Sequence, residues 1–361
     1  MMFQIPTTMK AVYLTGHGGF EKLSYQQSAV VPTPAADEVL IRVGAAGVNN
    51  TDINTRIGWY SKAVTDGTTG AGSEQGLDQA DDADGGWAGA LDFPRIQGAD
   101  ICGQIVAVGA EVAESRLGER VLVEPCLREG ETDFSYIGSE CDGGFAQYAK
   151  APAAYCHKIV CGWSDAELAS IPCSYSTAEN LLTRANLTAA DTVLITGASG
   201  GVGSAAVQLA KRRGAKVIAI AGASKADEVL ALGADRVIPR GTDLVDALGE
   251  KSVDVVVDLV AGEQWSSLLE VLKPCGRYAV SGAIGGPLVE LDVRTLYLKD
   301  LSFFGCTMLE KRVFPNLIGY IERGEIRPAL AKTYPLTEIV RAQKDFLIKA
   351  HTGKLVLIPE S

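Results

Sequence analysis

Short apolar runs alternate with stretches of helical periodicity from about residue 166 onward. The runs fall at 192–195, 215–220, 255–257 and 278–281. Between the first two, the pattern of 204–213 puts Val202, Ala206, Leu209 and Ala210 on one helix face. Fully apolar strands of this length, separated by helices, predict an α/β domain with a doubly wound parallel sheet buried on both faces. The first 160 residues read differently: runs at 38–43, 103–108 and 120–123 are separated by turn residues, which predicts a compact β-rich domain. A last run, 354–359, reads as a strand returning to that domain. The 361 residues suit two domains, and no internal repeat is present.

The connection after the first strand carries chemistry. Thr196 leads into Gly197, Ala198, Ser199, Gly200, Gly201, Val202 and Gly203. Strand, glycine turn, helix, strand is the unit that seats a dinucleotide pyrophosphate on a helix N-terminus. Its G-x-x-G-x-x-G spacing departs from the strict G-x-G-x-x-G form, so the flanking elements carry the assignment. Val260, Ser281 and Gly282 lie in the turns after the later strands, at the carboxyl ends that line such a crevice. The second strand runs out into Ser224 and Lys225, with no acid before Asp227. An NAD site places a carboxylate there for the ribose 2′-hydroxyl, whereas a hydroxyl beside a lysine suits a 2′-phosphate. Arg240 could add a second cation or stack on the adenine. These residues predict NADP(H); the other reading of Lys225 is that it opens a solvated helix.

A formal net charge of −11 argues against nucleic acid or an anionic membrane as a partner. No apolar run reaches the length of a membrane span, and the first ten residues lack a signal-peptide pattern, so a cytoplasmic protein is expected. The eight cysteines, at 102, 126, 141, 156, 161, 173, 275 and 306, contain no C-x-x-C and read as reduced, mostly buried thiols. One segment, 61–92, concentrates seven acids, a single lysine and seven glycines, with Asp81, Asp82 and Asp84 just before Gly85, Gly86 and Trp87. It reads as a mobile loop, either a solvated insertion or a lid anchored by Trp59 or Trp87.

Five further motifs join the glycine turn: M-K-A-V at 9–12, G-V-N-N-T-D at 47–52, G-A-D at 98–100, D-G-G-F-A-Q-Y at 142–148 and G-K-L-V-L-I-P at 353–359. Together they resemble the medium-chain dehydrogenase/reductase superfamily over nearly the whole chain. The resemblance implies a GroES-like catalytic domain (1–163), an inserted Rossmann domain (164–308), a return to the catalytic domain (309–361) and an active site between them. Where zinc-dependent members place their ligands, this chain has Asn49 and Ala99, with Asp100 next and Cys173 as a surviving third position. Three protein ligands are needed, so no metal is expected. A four-cysteine structural lobe is also missing: only Cys126 and Cys141 fall in that region, and Cys156, His157 and Cys161 read as ordinary strand residues.

The run from Asn49 to Tyr60 is closer to zinc-independent quinone oxidoreductases, in which the matching Asn and Tyr face substrate and nicotinamide. Asn49, Tyr60 and Asp100 are therefore the catalytic candidates, against turn capping for Asn49 and aromatic packing for Tyr60. A quinone or enone delocalises incoming charge itself, so hydrogen bonds from Asn49 or Tyr60 could suffice. The implied activity is NADPH-dependent reduction of a small quinone, enone or related activated double bond. The alternatives are a carbonyl/alcohol dehydrogenase with an atypical metal site at Asp100 and Cys173, and an NADPH-binding protein without catalysis. The apolar run 301–305 corresponds to the strand that pairs with its twin in this family, so a homodimer is expected.

Overall fold

A computed structural model describes residues 4–68, 72–77, 79–81, 83–87, 89–128 and 130–360. Asp82, one of the clustered acids, lies outside the described residues. The strands of the two large sheets are numbered in chain order: β1 (Glu38–Val48), β2 (Cys102–Val108), β3 (Arg120–Val123), β4 (Tyr148–Pro152), β5 (Cys156–Lys158), β6 (Thr192–Ile195), β7 (Lys216–Ala221), β8 (Arg236–Pro239), β9 (Val253–Asp258), β10 (Leu272–Val280), β11 (Ser302–Gly305), β12 (Leu330–Pro335) and β13 (Lys354–Ile358). Four helices matter for the site: α1 (Asn50–Ile57), α2 (Pro172–Arg184), α3 (Gly201–Arg212) and α4 (Ile339–Ile348).

The second half of the chain builds a six-stranded sheet, ordered β8-β7-β6-β9-β10-β11 and parallel throughout. Its central strands are largely apolar on both sides because both faces are covered. Val193 and Ile195 of β6 enter one apolar cluster, while Leu194 between them enters another on the opposite face. The strand order reverses between β6 and β9, and the glycine turn after β6 opens α3 at that point. Gly203 must lack a side chain there, since a Cβ would sit 2.2 Å from the Gly197 carbonyl oxygen.

The catalytic region is an antiparallel-rich sheet ordered β5-β3-β2-β1-β13-β12, with β4 also on β1. β1 is long enough to hold two partners along one edge, β4 against Glu38–Arg42 and β13 against Ala46–Val48. The C-terminal strand therefore lies beside the residues that lead into Asn49. Both principal architectures match the α/β reading, a parallel sheet joined to a β-rich GroES-like domain. α2 packs between them, its Tyr175, Ala178, Leu181 and Leu182 sharing a cluster with Val193 of β6 and Ala45 of β1.

Candidate active site

Four distant parts of the chain meet in the cleft. Asn49 caps α1, and its backbone N–H donates to Asp52 Oδ2 at 2.7 Å. Asp52 Oδ1 accepts from the Gly98 N–H at 3.2 Å, which ties the start of α1 to the segment carrying Asp100. Burial pushes the Asp52 carboxyl up to about 7. Leu355 of β13 pairs with Val48, so Lys354 comes alongside Asn49.

Asp100 is sealed from solvent, and both its oxygens are engaged. Oδ2 accepts from Asn49 Nδ2 at 2.9 Å and pairs with Lys354 Nζ at 2.7 Å. Oδ1 accepts from the Cys173 backbone N–H at 2.5 Å. That N–H belongs to the first turn of α2, where helical N–H groups lack internal partners and the helix dipole favours an anion. Lys354 Nζ also donates to Asn49 Oδ1. Two of the three ammonium protons are thus committed, and the third has no bonded acceptor among the described residues. The stem of Lys354 crosses the start of α3, its Cδ 2.9 Å from where a Cβ on Gly201 would stand. One side chain therefore links the glycine turn to Asp100.

This arrangement changes the part Asn49 can play. Its amide N–H is spent on Asp100, with Gly47 O at 3.4 Å, and its oxygen on Lys354. It is a positioning group more than a free donor. Cys173 is buried, its thiol pushed up to about 12 by burial and the neighbouring Asp100, and the Tyr136 hydroxyl donates to its sulfur at 3.2 Å. Ala99 falls in an apolar cluster with Cys126, Tyr136, Cys173, Leu309 and Val313. His157 pairs with Glu124 across 3.2 Å, and Cys156 is buried in β5. Among the described residues no group of three or more His, Cys, Asp or Glu converges.

An aromatic wall stands over Cys173. Tyr60 donates to Thr51 Oγ1 at 3.2 Å, and burial raises its phenol well above the usual range. Trp87 meets Tyr60 edge-on at 5.4 Å and stacks on Tyr136 at 4.3 Å. The described residues of the acidic segment do not form a separate solvated excursion. The buried Arg56 donates to the Ser73 carbonyl, the Trp59 ring N–H donates to Asp66 O, and the Trp87 backbone N–H donates to Glu140 Oε1. Thr68 N–H reaches Ile284 O at 3.1 Å, on the turn beyond Gly282. The segment thus touches both domains, and Trp87 enters the cleft while Trp59 fastens its base.

On the cofactor side Gly200 caps α3 with no side chain bonded to its first turn. Ser199 O accepts from the Gly353 N–H at 3.0 Å, whereas the Ala198 N–H is spent on Ile220 O, so Ala198 contributes shape only. The turns holding Val260, Ser281 and Gly282 pack on each other through the bond from Gly285 N–H to Val260 O. Asp258 organises them: buried, it accepts from Thr196 Oγ1, the Tyr278 hydroxyl and the Val260 N–H. Ser224 is exposed beyond the end of β7 and Arg240 beyond the end of β8. Lys225 does stand at the start of a short helix, Ala226–Ala231, but its ammonium is not left to solvent: it donates to the carbonyls of Lys349 and His351. No site role follows from the sequence for Thr51, Asp52, Asp258 or Lys354, although Thr51, Asp52 and Lys354 all stand inside the family motifs.

Comparison with known proteins agrees with this architecture. The alcohol dehydrogenase GroES-like domain family matches residues 35–160, and the zinc-binding dehydrogenase family matches 201–323. The chain is 30% identical to a quinone oxidoreductase of Lama guanicoe, over 97% of each. It is 29% identical to the acryloyl-coenzyme A reductase of Metallosphaera sedula, over 97% of this chain and 99% of that one. A crystal structure from Sinorhizobium meliloti 1021 superposes with a TM-score of 0.88 at 45% identity, covering 99% of this chain and 98% of the other. A Rossmann sheet, a GroES-like domain and relatives of this kind make the chain an oxidoreductase of the medium-chain dehydrogenase/reductase superfamily, with quinone oxidoreductases among its relatives.

Proposed function

We propose that this oxidoreductase uses NADPH to reduce a quinone, enone or related activated double bond without a metal. The observation that carries the reading is the Lys354 ammonium, bonded to Asn49, which stands where zinc-dependent relatives place a ligand, and to Asp100, next to the second such position. Zinc would need three protein ligands. Here Asn49 and Asp100 already hold a cation and Ala99 offers no donor, which leaves Cys173 as the one thiol at the site. These residues do not fit zinc, and a metal site at Asp100 and Cys173 would require Lys354 to leave.

The residues do fit a nicotinamide dinucleotide. The uncapped first turn of α3 suits the pyrophosphate, and the turns of Val260 and Ser281–Gly282 line the crevice. When bound, the nicotinamide supplies the hydride. Oxyanion charge on the acceptor is stabilised by the remaining Lys354 proton, whose direction Asn49 and Asp100 set. Tyr60, raised by burial, is a poor acid and shapes the pocket with Trp87 and Tyr136, while the apolar wall excludes water. Turnover of NADPH with a quinone, an enone and a simple ketone tests this reading after exhaustive chelation. Undiminished reduction of the first two supports it, and activity that requires restored zinc overturns it.

We also propose that the chain pairs with a second copy of itself and works in the cytoplasm. Among the described residues β11 is paired on one side, with β10; its Phe303 is exposed, as are Leu288, Val293, Tyr297 and Leu298 in the segment before it. An edge of this kind is covered most simply by its own twin. Light scattering that gives a monomer at micromolar concentration would exclude the pair. Among the described residues none of the eight cysteines is in a disulfide, as a reducing compartment would keep them, and no described helix is long and apolar enough to cross a membrane.

A further inference from the structure

The acidic segment after Tyr60 closes a second space at the carboxyl ends of β9 and β10. Thr65, Asp66 and Gly67 lie across from the turns that follow those strands, and a cavity of about 590 Å³ stands between them. The seam beside it is backbone against backbone. Thr68 N–H donates to Ile284 O at 3.1 Å, and a Cβ on Gly67 would stand 2.5 Å from that same oxygen. Gly262, at φ 68°, comes equally close to the Gly285 carbonyl oxygen, 2.7 Å from where its Cβ would be. Neither contact admits a side chain, so the segment is fitted to these turns. Gly285 N–H donates to Val260 O, which carries the seam into the crevice. On its other side the segment reaches the aromatic wall. The Trp59 ring N–H donates to Asp66 O at 2.8 Å, and the rings continue from Trp59 to Tyr60 at 5.6 Å and to Trp87 at 5.4 Å.

Every charged side chain on this cavity is acidic: Asp66 from the segment, Glu263 after β9, and Glu290 and Asp292 after β10. Asp292 is paired, with Arg294 at 2.7 Å. Among the described residues Asp66, Glu263 and Glu290 have no cationic partner. Lys62, the one lysine of the segment, does not line the cavity. Trp265 supplies an apolar face between the acids. Carboxylates of one sign around a cleft with low-dielectric walls add their fields, and the cleft focuses the sum. The opposite surroundings await the cofactor's phosphates, at the uncapped first turn of α3. The two approaches to the reacting centre therefore differ in sign.

We propose that this opening is the mouth through which the acceptor reaches the cleft, and that Asp66, Glu263 and Glu290 make it a filter for charge. Uncharged and cationic acceptors pass. Anionic ones are held off, including thioesters of coenzyme A, whose phosphates would have to cross or rest at the mouth. The filter acts on approach and leaves the hydride step alone, because its carboxylates stand on the segment and the outer turns and not beside Lys354. The proposal rests on the acceptor reading above for the compounds to be tried, while the mouth itself depends on the seam and its three carboxylates.

The test compares steady-state reduction of 1,4-naphthoquinone and its 2-sulfonate by the full chain and by the combined variant Asp66→Asn, Glu263→Gln, Glu290→Gln. All three side chains are exposed, so the variant keeps its packing. Comparing each acceptor between parent and variant cancels its intrinsic reactivity. Neutralising the mouth should lower KM for the sulfonate about tenfold or more, with kcat and the naphthoquinone KM unchanged. In the parent, raising ionic strength from about 0.01 M to about 0.5 M should bring a gain of the same kind for the sulfonate alone, and the variant should lose that salt dependence. A sulfonate-to-naphthoquinone ratio of kcat/KM that is the same in parent and variant overturns the filter. A parent that reduces neither quinone overturns the acceptor reading instead. The same ratio, taken with acetophenone and its 4-carboxylate, then decides the filter.

Discussion

Lys354 and Lys349 belong to one C-terminal return and reach one cleft, yet they sit under opposite conditions. Lys354 is 2% exposed and matched, with Asp100 at 2.7 Å and the Asn49 oxygen as a second acceptor. Lys349 faces other lysines, and its bonded acceptor is an amide oxygen at 3.4 Å. The matched charge joins β1, β13 and α2 into one frame, because removing either partner strands the other in a dry interior. The unmatched charge joins nothing and weakens the fold that carries it. What separates a cation that builds a site from one that weakens the fold is therefore its partner.

The largest effect should come from breaking the matched pair. Lys354→Met leaves the Asp100 carboxylate buried without its counter-charge and should cost about 3–5 kcal/mol in denaturant unfolding. Adding Asp100→Asn should recover much of that stability while leaving the enzyme inactive. A Lys354→Met chain as stable as the parent would show that the pair is not structural. An intermediate effect is expected at Trp87, which stands on the acceptor side of the cleft. Trp87→Ala should raise KM for a small acceptor about tenfold, consistent with lost aromatic packing, and admit bulkier ones. NADPH affinity should stay unchanged. A shift in NADPH affinity with every acceptor KM intact would remove Trp87 from the substrate pocket.

The smallest effect concerns stability without ligand. The Lys349 ammonium is held at about 7 in the fold, against ~10.4 for an unperturbed lysine. The folded state binds fewer protons than the unfolded one between those values. Its contribution to stability is therefore present above the unfolded value and is lost as pH falls through about 7. Lys349→Met should unfold at a higher temperature than the parent at pH 7, and the difference should shrink toward pH 10. A lysine that merely supported the fold would give the opposite sign, with the variant melting lower.

The two halves of the cleft were unequally legible in the sequence. The glycine turn, its flanking strands and the following helix are contiguous, and each obeys a local rule of periodicity or backbone sterics. Asn49, Tyr60, Asp100 and Cys173 were found because they stand in motif positions. Lys354 also stands in a motif, but 305 residues from Asn49 in a run whose local pattern is that of a strand, and the antiparallel pairing of β13 with β1 is what joins them. Asp258 was hidden similarly, as one acid at the end of an apolar strand whose partners, Thr196 and Tyr278, come from neighbouring strands. The acidic segment leaves two readings open in the sequence, a solvated insertion or a lid anchored by Trp59 or Trp87, because its composition is polar throughout. Arg56, Trp59 and Trp87 hold it by bonds to backbone carbonyls and by ring stacking, neither of which leaves a pattern in composition.

The central claim is that a lysine provides the positive charge at the reacting centre. The most direct test is the single-turnover rate of NADPH oxidation by a quinone, comparing chelator-stripped parent enzyme with Lys354→Met at saturating NADPH. The account predicts an unchanged rate in the stripped parent and a loss of about 10²–10³ in the variant, the usual cost of removing an oxyanion donor. A parent enzyme that stops when stripped of metal, or a Lys354→Met enzyme that keeps its rate, would contradict it.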